Sequence, residues 1–266
     1  MNDIDTLCTI ANEIRNVISV KFPNGGGGGV IRQGYGGDRT REIDQLAERT
    51  ALEWLEEKEI NWNILSEESG NIERGGDRTL IFDPVDGTYN AVNGIPLYST
   101  SLALTIGPDN FMIGCGVVLD IPNGTCFKAT RGKGAFMNGE RIHTRNYMEK
   151  NTVFSSFIGP DSEEDSLKML SWARRGRYFG AVSLEMCFVA KGALDLFALF
   201  SRVPRITDIA ASHLILLEAG GTHIKIDISN KWSDYHLGEY KGVKSIISIG
   251  DRDAVDRIME ISGVNR

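Results

Sequence analysis

The stretch that most constrains this chain is Leu80-Ile81-Phe82-Asp83-Pro84-Val85-Asp86-Gly87-Thr88-Tyr89-Asn90. Its apolar start reads as a buried strand. Pro84 fixes its own φ and pushes Asp83 into an extended conformation, so the strand is expected to stop there in a rigid corner. In such a corner Asp83, the Val85 carbonyl and Asp86 can converge on one small volume. Oxygen donors without sulfur or imidazole suit a hard cation such as Mg²⁺. Gly87 and Thr88 would open a short helix whose free N–H groups and positive dipole end face the same place. Cations on one side and a helix terminus on the other make a phosphate site. The same residue types also favour a plain turn, so the reading depends on the company the stretch keeps.

Other carboxylates stand in suggestive places. Asp44 and Glu48, four apart in a helix running to about Lys58, share one face; an exposed acidic face is the ordinary alternative. Asn63 to Gly70 ends a short strand on Glu67 and Glu68. Adjacent strand residues point to opposite faces, so only one can reach a given metal. Asp208 precedes an apolar helix and could be its N-cap.

Asp83 to Asn90 resembles the metal-binding signature of the inositol monophosphatase and fructose-1,6-bisphosphatase family of Mg²⁺-dependent, lithium-sensitive phosphatases. Further segments resemble that family in the same order. Thr40 to Glu48 is similar to its Thr-x-x-x-Asp-x-x-x-Glu helix, and Ser66-Glu67-Glu68-Ser69 to its Gly-Glu-Glu-Ser element, with Ser66 in place of Gly. Gly132 to Glu140 resembles a structural hairpin of the family. Arg177 to Glu185 resembles the segment that closes over the sugar or inositol. Thr207-Asp208-Ile209-Ala210-Ala211 stands for Trp-Asp-x-Ala-Gly, with changes that resemble archaeal members. The resemblance runs from Asp38 to Ser248.

The resemblance implies an α/β layered fold, the αβαβα sandwich of the sugar phosphatases. It implies a metal cage of Glu67, Asp83, the Val85 carbonyl, Asp86 and Asp208, holding two or three Mg²⁺ ions, or Mn²⁺. Asp44 and Thr88 would orient and deprotonate a metal-activated water. Asp86, Gly87, Thr88, Arg177 and the Val182 backbone would contact substrate. Arg202 and Arg205 add charge suited to a second phosphate, which an arginine fork grips bidentately. Leu199 stands where animal inositol monophosphatases carry a ring-recognising Glu, which weakens a strictly inositol-specific reading. The expected activity is hydrolysis of fructose 1,6-bisphosphate and inositol 1-phosphate by an archaeal-type dual phosphatase, in a homo-oligomer, a dimer. The alternatives are a 3′(2′),5′-bisphosphate nucleotidase and a non-catalytic sugar-phosphate-binding protein. Four carboxylates repelling one another in a dead site would have no reason to stay together.

The net charge of −7, with no Lys/Arg cluster to offset it, argues against nucleic acid as partner. It would also repel a phosphate ester, so bound metal must supply the attraction. Cys8, Cys115, Cys126 and Cys187 are scattered and read as small buried hydrophobes. The lack of an apolar leader or membrane-length run points to the cytoplasm. His143, His213, His223 and His236 read as ordinary surface or core histidines.

A first helix is expected from Ile4 to Phe22, where Ile4, Leu7, Ile10, Ala11, Ile14 and Ile18 recur at helical spacing. The glycine run Gly25 to Gly29 lacks a closing Gly-Lys-Ser/Thr and reads as a flexible loop. Strands are expected over Ser99 to Ile106, Phe111 to Leu119 and Thr125 to Ala129. Beyond about Thr152 strands alternate with helices over Glu163 to Arg174, Ser183 to Lys191 and Ile209 to Ala219. The division is therefore 1–150, carrying most metal ligands, and 151–266, completing one compact unit.

Overall fold

A computed structural model describes residues 2–35, 39–107, 111–158, 175–200, 205–239, 243–264 and 266. The helix expected over Glu163 to Arg174 lies outside them. The first helix, α1 (Asp3–Lys21), is capped by Asn2, whose side chain accepts from the Asp5 amide at 3.0 Å. It packs with α2 (Glu42–Glu57) on one face of an eight-stranded sheet. After a two-stranded ribbon of β1 (Val30–Gln33) and β2 (Arg39–Arg41), that sheet is built from β3 (Asn63–Ser66), β4 (Gly70–Ile72), β5 (Thr79–Asp86), β6 (Ser99–Thr105), β7 (Ile113–Asp120), β8 (Cys126–Thr130), β9 (Gly134–Met137) and β10 (Glu140–Ile142). Its order is β10-β9-β8-β7-β6-β5-β3-β4.

Side chains divide by strand parity. Leu80 and Phe82 face α1 and α2, whereas Ile81 faces the middle layer. That middle layer is α4 (Val182–Ala190) and α5 (Ile206–Glu218). Beneath it lies a six-stranded sheet of β11 (Val153–Ile158), β12 (Arg175–Arg177), β13 (Leu196–Phe200), β14 (Thr222–Asp227), β15 (Trp232–Asp234) and β16 (Val243–Ile249). Phe197 and Leu199 point to the middle helices, while Leu196, Ala198 and Phe200 point outward to α6 (Val255–Ile261). The order helix, sheet, helix, sheet, helix is the expected αβαβα sandwich. Leu199 is buried in this core, paired in register with Phe157 and Ile246, so it does not occupy a ring-recognising position.

Two local expectations need correcting. The strand through Phe82 does not end at Asp83; β5 continues to Asp86. Asp83 pairs with Ser101 and Asp86 with Ser99, so three steps on β5 face two on β6. That is a β-bulge, and Pro84, lacking an N–H, fits inside it. In a regular strand residues three apart point to opposite faces. The extra residue restores parity, and Asp83 and Asp86 face the same side.

The glycine run is also not a free loop. The Gly26 amide donates to the Ala91 carbonyl at 2.9 Å, and Glu42 and Ile43 donate to the Gly29 and Gly27 carbonyls at 3.0 and 3.2 Å. A Cβ on Gly25 would lie 2.4 Å from the Ala91 carbonyl oxygen. Glycine is required there for close backbone approach. The run braces α3 (Thr88–Val92) against the start of α2.

Candidate active site

The site forms where the parallel pair β3–β5 ends. Glu67 follows β3 and is pinned by its amide, which donates to the Phe82 carbonyl at 3.0 Å. Asp208 comes from the other half of the chain, in the first turn of α5. It is not an N-cap, because the helix already begins at Ile206. Carboxylate oxygens of Glu67, Asp83 and Asp208 lie within 4.8 Å of one another. Asp83 is buried, and its Oδ1 has no hydrogen-bond partner among the described residues. A buried carboxylate oxygen without a donor is expensive unless a cation meets it. An all-oxygen donor set of this kind fits a hard divalent cation.

Burial and crowding hold protons on these groups. Burial pushes Glu67 up to about 8, with Asp208 adding to the shift and Arg205 opposing it. Asp83 rises well above the usual carboxylate range through burial, then through Glu67 and Asp86. Arg205 is the local counter-charge, 2.6 Å from Glu67 Oε1 and 3.5 Å from Asp208 Oδ2. In this structure the guanidinium lies against the acidic cluster.

Asp86 is held differently. Its Oδ1 accepts from the Val182 amide at 3.0 Å, and its Oδ2 accepts from the Ser183 amide at 2.7 Å and hydroxyl at 2.6 Å. This carboxylate thus joins β5 to the start of α4 across the two halves of the chain. The Val182 amide, expected to face substrate, is occupied by Asp86. Burial lifts the Asp86 pKa to about 6, and the Ser183 hydroxyl opposes the rise.

Asp44, in the first turn of α2, accepts from the Arg41 amide at 2.8 Å. Thr88 Oγ1 lies 3.0 Å from Asp44 Oδ1 and 2.8 Å from the Val85 carbonyl. A hydroxyl carries one proton, so both contacts are hydrogen bonds together only when Asp44 carries a proton of its own. Burial pushes Asp44 up to about 7, with the Arg41 amide opposing. Gly87 sits at φ +89° before α3, where a Cβ would lie 3.1 Å from the Leu97 carbonyl oxygen and 3.2 Å from Ala181 Cβ.

Glu48 and Glu68 do not join the cluster. Glu48 accepts from the Ser66 hydroxyl at 2.5 Å and the Ser69 hydroxyl at 2.7 Å, and Glu68 accepts from Thr40. Arg177 is exposed on strand β12 and donates to its neighbour's carbonyl, Gly176, at 3.1 Å. Arg202 lies outside the described residues. Sequence reasoning missed Ser183 and Glu185. Ser183 opens a helix directly after Gly-Ala-Val, a place where hydroxyls commonly serve backbone or carboxylate groups. Glu185 accepts from the Gly180 amide at 3.0 Å and so fixes the approach to α4; its burial inside a helix left no pattern to find it by.

Comparison with known proteins agrees with this geometry. The profile of the inositol monophosphatase family matches residues 4–246. A fructose-1,6-bisphosphatase/inositol-1-monophosphatase from Methanocaldococcus jannaschii is 34% identical over 229 residues, covering 83% of this chain and 87% of the relative. A bifunctional NADP phosphatase/NAD kinase from Methanococcus maripaludis is 32% identical over 256 residues, covering 84% of this chain but 45% of that longer protein. A solved inositol monophosphatase–fructose 1,6-bisphosphatase superposes with a TM-score of 0.83 at 29% identity, covering 98% of this chain and 100% of that one. The chain belongs to the inositol monophosphatase family of metal-dependent phosphatases, and is a phosphoric monoester hydrolase.

Proposed function

We propose that the chain hydrolyses fructose 1,6-bisphosphate and inositol 1-phosphate with Mg²⁺. The observation that carries this reading is the convergence of Glu67, buried Asp83 and Asp208 on one point, with Thr88 linking Asp44 to the Val85 carbonyl at the end of the strand that carries Asp83. Glu67, Asp83 and Asp208 would hold the ions, with Asp86 and the Val85 carbonyl completing the donor set. When bound, such ions polarise the phosphate, lower the pKa of water and stabilise the leaving alkoxide. Thr88 Oγ1 orients the attacking water and passes its proton to Asp44 Oδ1. Burial, which raises the Asp44 carboxyl above the usual carboxylate range, favours its taking up that proton. The Gly87 and Thr88 amides at the start of α3 hold phosphate oxygens as charge develops. Asp86, tied to α4, keeps the two halves in register around the ester.

The names of the M. jannaschii relative and of the superposed structure favour the sugar and cyclitol esters. The M. maripaludis relative, named as an NADP phosphatase, favours a second reading, removal of a phosphate from a nucleotide. Cys8, Cys115, Cys126 and Cys187 are free thiols, which supports a reducing compartment such as the cytoplasm. The test is phosphate release in Mg²⁺ from fructose 1,6-bisphosphate, inositol 1-phosphate, adenosine 3′,5′-bisphosphate and NADP. The first two should have the highest kcat/KM. A clear preference for either nucleotide would replace this reading with the second.

A further inference from the structure

Away from the acidic cluster the structure holds a cavity of about 540 Å³, within the range of small-molecule sites. It is lined from α5 by His213 and Leu217, from just before β7 by Phe111 and Met112, and from just after β8 by Arg131. His213 is five residues and Leu217 nine residues beyond Asp208. At about 100° per residue they lie roughly 140° and 180° around the helix from it. The cavity therefore opens on the opposite face of α5 from the acidic cluster.

Three features of its lining ask for a ligand. The rim is apolar yet open: Phe111, Met112 and Leu217 are 48%, 57% and 39% exposed. The imidazoles of His213 and His223 are stacked on each other, ring centroids 4.5 Å apart, so one ring face of the pair at most is left to form an aromatic wall. Tyr235 closes the wall edge-on to both rings. His213 is 8% exposed, and its Nδ1 has no hydrogen-bond partner among the described residues.

The charge at this place is positive in a chain whose net charge is −7. Arg131 and Arg252 line the cavity, against one acid, Asp234, which stands 3.8 Å from Arg252. The Arg131 Nε donates to the Ile113 carbonyl at 2.8 Å, which fixes the plane of the guanidinium. Burial first, and then the positive field of Arg131, hold His213 neutral, at a pKa of about 4. A fixed guanidinium beside an aromatic wall and an apolar rim suits a flat ring joined to an anionic group.

We propose that this cavity binds a small organic anion carrying a flat apolar ring, of mononucleotide size, at a site separate from the phosphatase centre. The ring would sit between the Phe111–Met112–Leu217 rim and the His213–His223 wall, and the anion would meet Arg131.

The test is a titration followed through histidine ring resonances in the full chain. There are four histidines, so each is assigned by its own His→Gln variant. The probes are AMP, adenosine and inorganic phosphate, which separate ring from anion. AMP should shift His213 and His223, and adenosine or phosphate alone should bind more weakly on the order of tenfold or more. Arg131→Ala should weaken AMP on the order of tenfold or more, the worth of a charge-assisted contact. Leu217→Trp should fill the rim and abolish the shifts, with phosphatase activity retained. No shift at about 10 mM AMP, a free energy too small for a formed site, would overturn the proposal. So would shifts that survive Leu217→Trp, or binding indifferent to Arg131→Ala. A change in sedimentation mass on Leu217→Trp, with no probe bound, would make this face an interface between copies of the chain and would equally overturn it.

Discussion

Asp44→Asn separates the chemistry of the site from its cost. Asparagine keeps the shape of the side chain. Its oxygen can accept from the Arg41 amide, and its NH₂ can donate to Thr88 Oγ1, which still donates to the Val85 carbonyl. No partner is lost, but the titration is. In the wild type, burial raises the Asp44 pKa from 3.8 to about 7. The native state then binds the proton more tightly than the unfolded chain. Stability is highest below the ordinary carboxylate pKa, falls as pH rises through the interval, and levels off above about 7. At about 1.4 kcal/mol per pH unit, the wild type should lose about 3 kcal/mol more than Asp44→Asn between about pH 5 and about pH 8. Glu67 and Asp86 titrate in the same direction in both proteins and largely cancel in the difference. The assay is urea unfolding in chelator, followed by tryptophan fluorescence at several pH values. The variant should be the more stable protein at alkaline pH while its turnover collapses. Parallel stability curves would refute the buried, proton-holding Asp44, and retained turnover would refute its role as proton acceptor.

Other outcomes follow from single contacts. Ser183→Ala removes the hydroxyl that donates to Asp86 at 2.6 Å and should cost about 1.5–3 kcal/mol in denaturant melts, with kcat reduced far less than in Asp86→Asn. Gly87→Ala forces a Cβ into a φ of +89° and against the Leu97 carbonyl; calorimetry should show a loss of at least about 1–2 kcal/mol, with lowered kcat. Arg205→Ala leaves Glu67 and Asp208 without their cation, so its Tm should fall in chelator and recover substantially in Mg²⁺. His213, held neutral with a pKa of about 4 against an ordinary 6.5, has the opposite sign from Asp44. Its share of stability is present above pH 6.5 and lost as pH falls toward 4, about 3 kcal/mol in all, so His213→Gln should flatten the acid limb of the stability curve.

The layers were legible because periodicity reports burial. Leu7, Ile10, Ala11, Ile14 and Ile18 are all buried in α1 as their spacing requires. The convergence of Glu67 with Asp83 was also readable, since a strand ending on a carboxylate beside another such strand leaves few places for the side chains. Parity was not readable. Nothing local says that Pro84 lies in a bulge instead of at a strand end, because that depends on Ser99 and Ser101 in the partner strand. The ion pair of Arg205 was unreadable for a similar reason. Nothing local pairs it with Glu67, which the fold brings within 2.6 Å. The glycine run misled because composition records the freedom of the unfolded chain. The approach of Ala91 that demands Gly25 is a long-range contact.

Asp83→Asn, assayed for phosphate release from fructose 1,6-bisphosphate across a Mg²⁺ titration, tests the metal centre most directly. Asp83 brings the unpartnered buried oxygen to the cluster, so its loss should remove both the Mg²⁺ dependence and the turnover. The wild type should show a Mg²⁺-dependent rise in rate from a chelator baseline near zero. The variant should stay at that baseline at every concentration. A variant that keeps as much as roughly a tenth of wild-type kcat at saturating Mg²⁺, a barrier change of only about 1.4 kcal/mol, would contradict a metal centre built on Asp83.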